Sequence, residues 1–66
     1  MSNPCLSPRQ NEILALVAQG HANKMIAYQL GMSEKTVKNH LTTVFRKLNV
    51  ESRTQAALWV VRQNLG

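Results

Sequence analysis

The stretch "NKMIAYQLGMSEKTVKNHLTTVFRKL", residues 23 to 48, restricts the possible folds more than any other part of the chain. It contains two helical patterns with only Gly31, Met32 and Ser33 between them. In the first, Ile26, Ala27 and Leu30 share one side of a helix of about two turns that starts near Asn23, a capping residue, and is ended by Gly31. In the second, Ser33 is a good N-cap, and Glu34 puts a negative charge in the first turn, where the helix dipole favours it. Val37, Leu41, Val44, Phe45 and Leu48 then recur at the i, i+4, i+7, i+8 spacing of a helix with one face in a core. With so few residues between them, the two helices must share an interior.

Two more helices complete the reading. Ser7 is an N-cap, Pro8 suits the first helical position, where no amide donor is needed, and Leu6 can staple the entry from outside. Ile13, Leu14, Leu16 and Val17 form an apolar stripe that stops at Gly20, which predicts a helix over about 8–19. At the other end, Asn49 can adopt the left-handed conformation, and Ser52 with Gln55 has capping-box spacing, so a fourth helix is predicted over about 53–64. It carries Ala56, Ala57, Leu58, Trp59, Val60 and Val61 in unbroken succession, more apolar surface than one face can hold. No alternating strand pattern competes. The expected fold is all-α, a four-helix bundle containing a helix-turn-helix, with residues 6–66 as one domain and residues 1–5 as a lead-in or linker remnant.

A chain of 66 residues buries only about 60% of the surface it exposes when unfolded, so packing must be economical. The single cysteine, Cys5, cannot form an intrachain disulfide and offers no thiolate cluster for a structural zinc. There is no aspartate, and neither paired carboxylates, a Gly-rich phosphate loop nor metal-ligand spacing can be found. Catalysis is set aside, and no cofactor or metal is expected. No apolar run approaches the ~20 residues of a membrane span, and the N-terminus has no signal-peptide pattern, so a cytoplasmic protein is expected.

Eight Lys and Arg against three acidic residues leave a net charge of +5, which points to a polyanionic partner. Four of the eight, Lys35, Lys38, Arg46 and Lys47, lie in the helix that follows Gly31. Two helices joined by a short Gly-containing turn are the arrangement in which the second helix enters the DNA major groove. Ala27 permits the close approach, Gly31 supplies the turn and Val37 returns to the shared interior, although each alone reads simply as core. On the outer face, Lys38, Asn39 and Thr42 at i, i+1 and i+4 can point together at base edges. Lys35, Thr36, Arg46 and Lys47 lie nearer the flanks, where phosphate contacts set register, and Lys24 can reach a phosphate from the preceding helix. Any one lysine alone reads as a solvated helix face; several opposite a full apolar stripe favour double-stranded DNA. His40 sits between the two faces in a packing or phosphate-contact role, and His21 reads as a solvated loop residue. Tyr28, Phe45 and Trp59, one per helix, make no stacking platform and read as core or interface.

The segments "LSPRQNEIL", Gly20, "NKMIA" at 23–27, "SEKTVKNHLTTVFRKLNV" and "RTQAA" together resemble the LuxR-type (FixJ/NarL-type) helix-turn-helix family over almost all of residues 6–62. The resemblance implies that Lys38, Asn39 and Thr42 face bases and that Lys24, Thr36, Arg46 and Lys47 meet the backbone. It implies that Glu12 and Arg9 brace the domain, and that the chain is the effector domain of a bacterial response regulator, or else a small stand-alone regulator. It further implies a homodimer on a two-fold operator, formed through Ala57, Trp59, Val60 and Val61 of the fourth helix, with RNA polymerase as a further partner. Those four residues can equally finish the core of a monomer, because periodicity does not separate a broad core face from an interface. Two departures stand out: Ala22 where many relatives have Ser, leaving Asn23 as the cap of the second helix, and Met25 where they have Glu. The rival from another class is a helical interaction module whose basic face docks an acidic partner or an anionic lipid.

Overall fold

The computed structural model describes residues 6–65, which form four α-helices and no strand: α1 (Pro8–Ala18), α2 (Asn23–Leu30), α3 (Glu34–Leu48) and α4 (Arg53–Leu65). The lead-in expected at residues 1–5, with Cys5, lies outside the described residues. Each helix begins and ends for a local reason. Ser7 Oγ accepts the Gln10 amide at 3.1 Å and Gln10 Oε1 accepts the Ser7 amide at 2.9 Å, a reciprocal capping box at the start of α1. Leu6, just before the cap, packs against the core around Leu14.

The first three helices close in the same manner. Gly20, Gly31 and Asn49 hold φ of 93°, 67° and 58°. In each case the following amide folds back across the last turn: His21 to the Leu16 carbonyl at 3.1 Å, Met32 to Ala27 at 2.9 Å, and Val50 to Phe45 at 3.0 Å. A Cβ at Gly31 would meet nothing within 4 Å, so the backbone conformation alone, and not crowding, calls for glycine there.

Two cap expectations are corrected. The N-cap of α2 is Ala22, not Asn23, and it supplies no side-chain hydrogen bond. Asn23 is already the first helical residue, and its side chain is engaged elsewhere. At α4, Ser52 Oγ accepts the Gln55 amide at 3.2 Å as expected, but Gln55 Oε1 reaches one residue further back, to the Glu51 amide at 2.7 Å.

α1 packs against the other three helices, and α3, like α1, serves two core clusters. Val37 and Leu41 join Ile13, Val17, Ile26 and Ala27 in a cluster shared by α1, α2 and α3. Val44 and Leu48 join Leu14 and Ala56 in a second cluster shared by α1, α3 and α4. Phe45 is half-buried and packs against both. Ala27 is buried between α1, α2 and α3, as the small side chain requires. No polar or charged residue is buried among the described residues, so apolar contact and helix hydrogen bonding carry the fold. The positively charged side of α3 is thereby left over.

Candidate nucleic-acid interface

Burying Val37, Leu41, Val44 and Leu48 turns the opposite side of α3 outward, with Lys35, Lys38, Asn39, Thr42 and Arg46 all exposed. Positions 35, 38, 42 and 46 follow one another at i+3 and i+4 steps. At 1.5 Å per residue this stripe is about 16 Å long, enough for a helix to engage several base pairs of a major groove. The side chains of Lys24, Lys35, Lys38 and Arg46 make no hydrogen bond or ion pair with any described residue. Arg46 suits the dipole at the C-terminal end of α3, but none of the four charges is neutralised by a described carboxylate, and the ammonium and guanidinium groups present donors to solvent.

Neighbouring groups are more constrained. The Thr36 hydroxyl lies 2.9 Å from Ser33 Oγ, and the Thr36 amide donates to that same oxygen at 3.1 Å, so Thr36 belongs to the cap of α3 as well as to its flank. Thr42 Oγ1 donates to the Lys38 carbonyl at 3.0 Å. Lys47 Nζ donates to Gln10 Oε1 at 3.4 Å, which sets the last turn of α3 beside the first turn of α1. Between those elements runs a groove of about 290 Å³ lined by Gln10, Thr36, Asn39, His40 and Thr43. His40, half-buried there, sits at the border of the two faces as expected.

Lys24 is exposed in the first turn of α2. Ala22, Lys24, Met25 and Tyr28 line an apolar recess of about 470 Å³. Tyr28 is 83% exposed and takes no part in the core.

A family described as "Bacterial regulatory proteins, luxR family" matches residues 4–60. The chain belongs to the luxR family. The nitrate/nitrite response regulator protein NarL of Escherichia coli strain K12 is 45% identical over 60 residues, which is 91% of this chain and 28% of that protein. The spore germination protein GerE of Bacillus subtilis strain 168 is 41% identical over 61 residues, covering 92% of this chain and 82% of GerE. The chain thus spans about a quarter of NarL and most of GerE.

Solved structures agree with the helix arrangement. GerE superposes with a TM-score of 0.79 at 41% identity, covering 89% of this chain and 88% of that one. The DNA-binding domain of ComA, in its complex with the anti-activator RapF, gives 0.78 at 45% identity, covering 80% and 91%. Membership of the luxR family makes this a helix-turn-helix domain of transcription regulators and not an enzyme. Among the described residues, no helix is long and apolar enough to cross a membrane, and no group of His, Cys or Glu could hold a metal ion.

Within this luxR-family domain, three features lie outside the sequence-based reading. The first is Arg53. Its Nη1 donates to Asn23 Oδ1 at 2.5 Å and its Nη2 to the His21 carbonyl at 2.5 Å, so the start of α4 is tied to the turn before α2. His21 is accordingly half-buried rather than a solvated loop residue. The brace expected from Glu12 and Arg9 is corrected by the same finding. Those two residues form an exposed pair at 3.5 Å along α1 and reach no other helix, whereas Arg53 joins separate elements. The second feature is Gln10, placed beside α3 by its bonds to Ser7 and Lys47.

The third is Leu58. Of the four α4 residues expected at an interface, Trp59 and Val60 are half-buried and pack against the Leu14 cluster, Ala57 is half-buried, and Val61 is 46% exposed. Leu58, not among the four, is 53% exposed. Six successive apolar residues surround the helix, so their order alone could not separate the packed side from the open one.

Proposed function

We propose that the domain binds double-stranded DNA sequence-specifically, with α3 in the major groove. Lys38, Asn39 and Thr42 read base edges, and Lys24, Lys35, Thr36, Arg46 and Lys47 hold the phosphate backbone. One observation carries this reading: the outward stripe of α3 is cationic and its Lys35, Lys38 and Arg46 side chains pair with no described residue, while its inward stripe is used by the core. The Lys24 assignment has separate support. The first turn of α2 contains no acidic residue, and its N-cap residue offers no side-chain acceptor, so its amide donors and positive dipole end are left to an anion.

Copies pair on a two-fold operator through α4, where Ala57, Leu58 and Val61 share the open side and Trp59 and Val60 contribute the edges they do not commit to the core. The chain acts as the effector domain of a bacterial response regulator, in the cytoplasm and on the nucleoid, with RNA polymerase as a further partner of the DNA-bound form. The likeness to NarL over about a quarter of that protein supports this placement.

The test is a comparison at physiological salt of three probes: a duplex selected by the protein from a random pool, a random duplex, and vesicles of anionic lipid. Tighter binding to the selected duplex, by about a thousandfold or more over random DNA, is expected. Equal binding to all three would overturn the DNA-reading assignment in favour of a general anion-docking surface.

A further inference from the structure

We infer that Arg53 is a positioning residue for DNA binding, setting the first turn of α2, and with it Lys24, from the start of α4. α2 has only eight residues and starts without a side-chain cap. A helix of two turns is marginal by itself and frays at its ends. The two acceptors held by Arg53, the His21 carbonyl and Asn23 Oδ1, belong to the residues on either side of the N-cap, Ala22. The guanidinium thus ties together, from outside, the two residues that flank the N-cap; having no acceptor, it leaves the first amide donors of α2 open.

The core does not supply this link. The buried residues of α2, Ile26 and Ala27, lie in one cluster, and the buried Ala56 of α4 lies in the other. Both acceptors are neutral and no described carboxylate pairs with Arg53, so its charge also adds to the positive potential behind the first turn of α2. The planar guanidinium presents its N–H groups in a rigid fork that reaches both oxygens at once, a geometry that the compact ammonium of a lysine does not reproduce.

The inference rests on the reading of Lys24 as a phosphate contact, and a double-mutant cycle separates the two. In the full 66-residue chain, Lys24→Ala, Arg53→Lys and Asn23→Ala are made singly, and each of the latter two is also combined with Lys24→Ala. Binding of a random-sequence duplex is followed across a salt series. Lys24→Ala should lower the salt slope by ~1. Arg53→Lys, which keeps the charge, should lower it by a similar amount, and in that background Lys24→Ala should cost less than about twofold.

Independent, additive losses would overturn the inference alone, leaving Arg53 a purely structural strut. Lys24→Ala with no effect on affinity or slope would overturn the phosphate reading and the inference with it. Should Arg53→Lys lose helical circular dichroism, the Asn23→Ala cycle decides by the same criterion, since it removes one arm of the clamp and leaves Arg53 in place.

Discussion

The Thr42 hydroxyl donates to the carbonyl of Lys38, one turn earlier in α3, at 3.0 Å. With its proton committed there, Thr42 offers the groove a methyl group and oxygen lone pairs rather than a donor. A thymine methyl is the natural complement. Thr42→Val should therefore bind the selected duplex within about twofold of the parent, whereas Thr42→Ser should lose roughly 1 kcal/mol, the scale of one buried methyl. Replacing thymine by deoxyuridine at the contacted position should penalise the parent and Thr42→Val but not Thr42→Ser. A Thr42→Val protein that loses all preference at that position would show instead that the hydroxyl reads the base.

Lys38 and Lys47 lie on the same helix but should behave differently. Lys38 stands in the middle of the outward stripe, so Lys38→Ala should cost about 1–3 kcal/mol and relax preference at one base pair. Lys47, beside Gln10 at the end of α3, should on mutation to alanine weaken all duplexes about equally and lower the salt slope by ~1. Titrations of cognate and random duplexes over a salt series check both. Unchanged affinity and base preference in Lys38→Ala would remove it from the recognition face.

Stability should follow burial and backbone conformation. Leu41 is 4% exposed within the first cluster, and Leu41→Ala should cost about 2–5 kcal/mol, a large share of what a domain this small possesses. Gly31→Ala has open space around it but forces a Cβ into φ of 67°, at a cost of about 1–2 kcal/mol. Ser33→Ala removes the cap on the Thr36 amide and should cost ~1 kcal/mol. Urea unfolding followed by circular dichroism measures all three; a Gly31→Ala protein as stable as the parent would contradict the left-handed closure of α2.

The open side of α4 gives a test of pairing that leaves the fold alone. Leu58→Asp and Val61→Asp alter side chains about half exposed, so the monomer should melt as the parent does within about 0.5 kcal/mol. Both should abolish cooperative occupation of a two-half-site duplex, read by electrophoretic mobility and sedimentation. Ala56→Asp, at a position with no exposure, should instead unfold the domain. Cooperativity that survives both exposed substitutions would place the pairing surface elsewhere.

The helix count, the limits of α3 and the left-handed closures at Gly20, Gly31 and Asn49 were legible in the sequence, because caps and stops act within one turn of the chain. The buried stripe of α3, and hence its outward cationic face, was legible for a related reason: helical period alone assigns Val37, Leu41, Val44 and Leu48 to one side. Even some local reading failed where a side chain had a better distant partner. Asn23 had the composition of a cap, yet its side chain accepts from Arg53, which is 30 residues away.

What the sequence by itself determined, then, was each helix and the face it buries where that face is narrow. Only the tertiary structure decided which residues of α4 are open, that Tyr28 lies outside the core, that Gln10 stands beside Lys47, and that Arg53 braces the entry to α2. The physical reason is range. Hydrogen bonding and periodicity within a helix are fixed by neighbours three or four residues apart, whereas the choice among several apolar faces, and the partner of a long polar side chain, depends on which helices the core brings together.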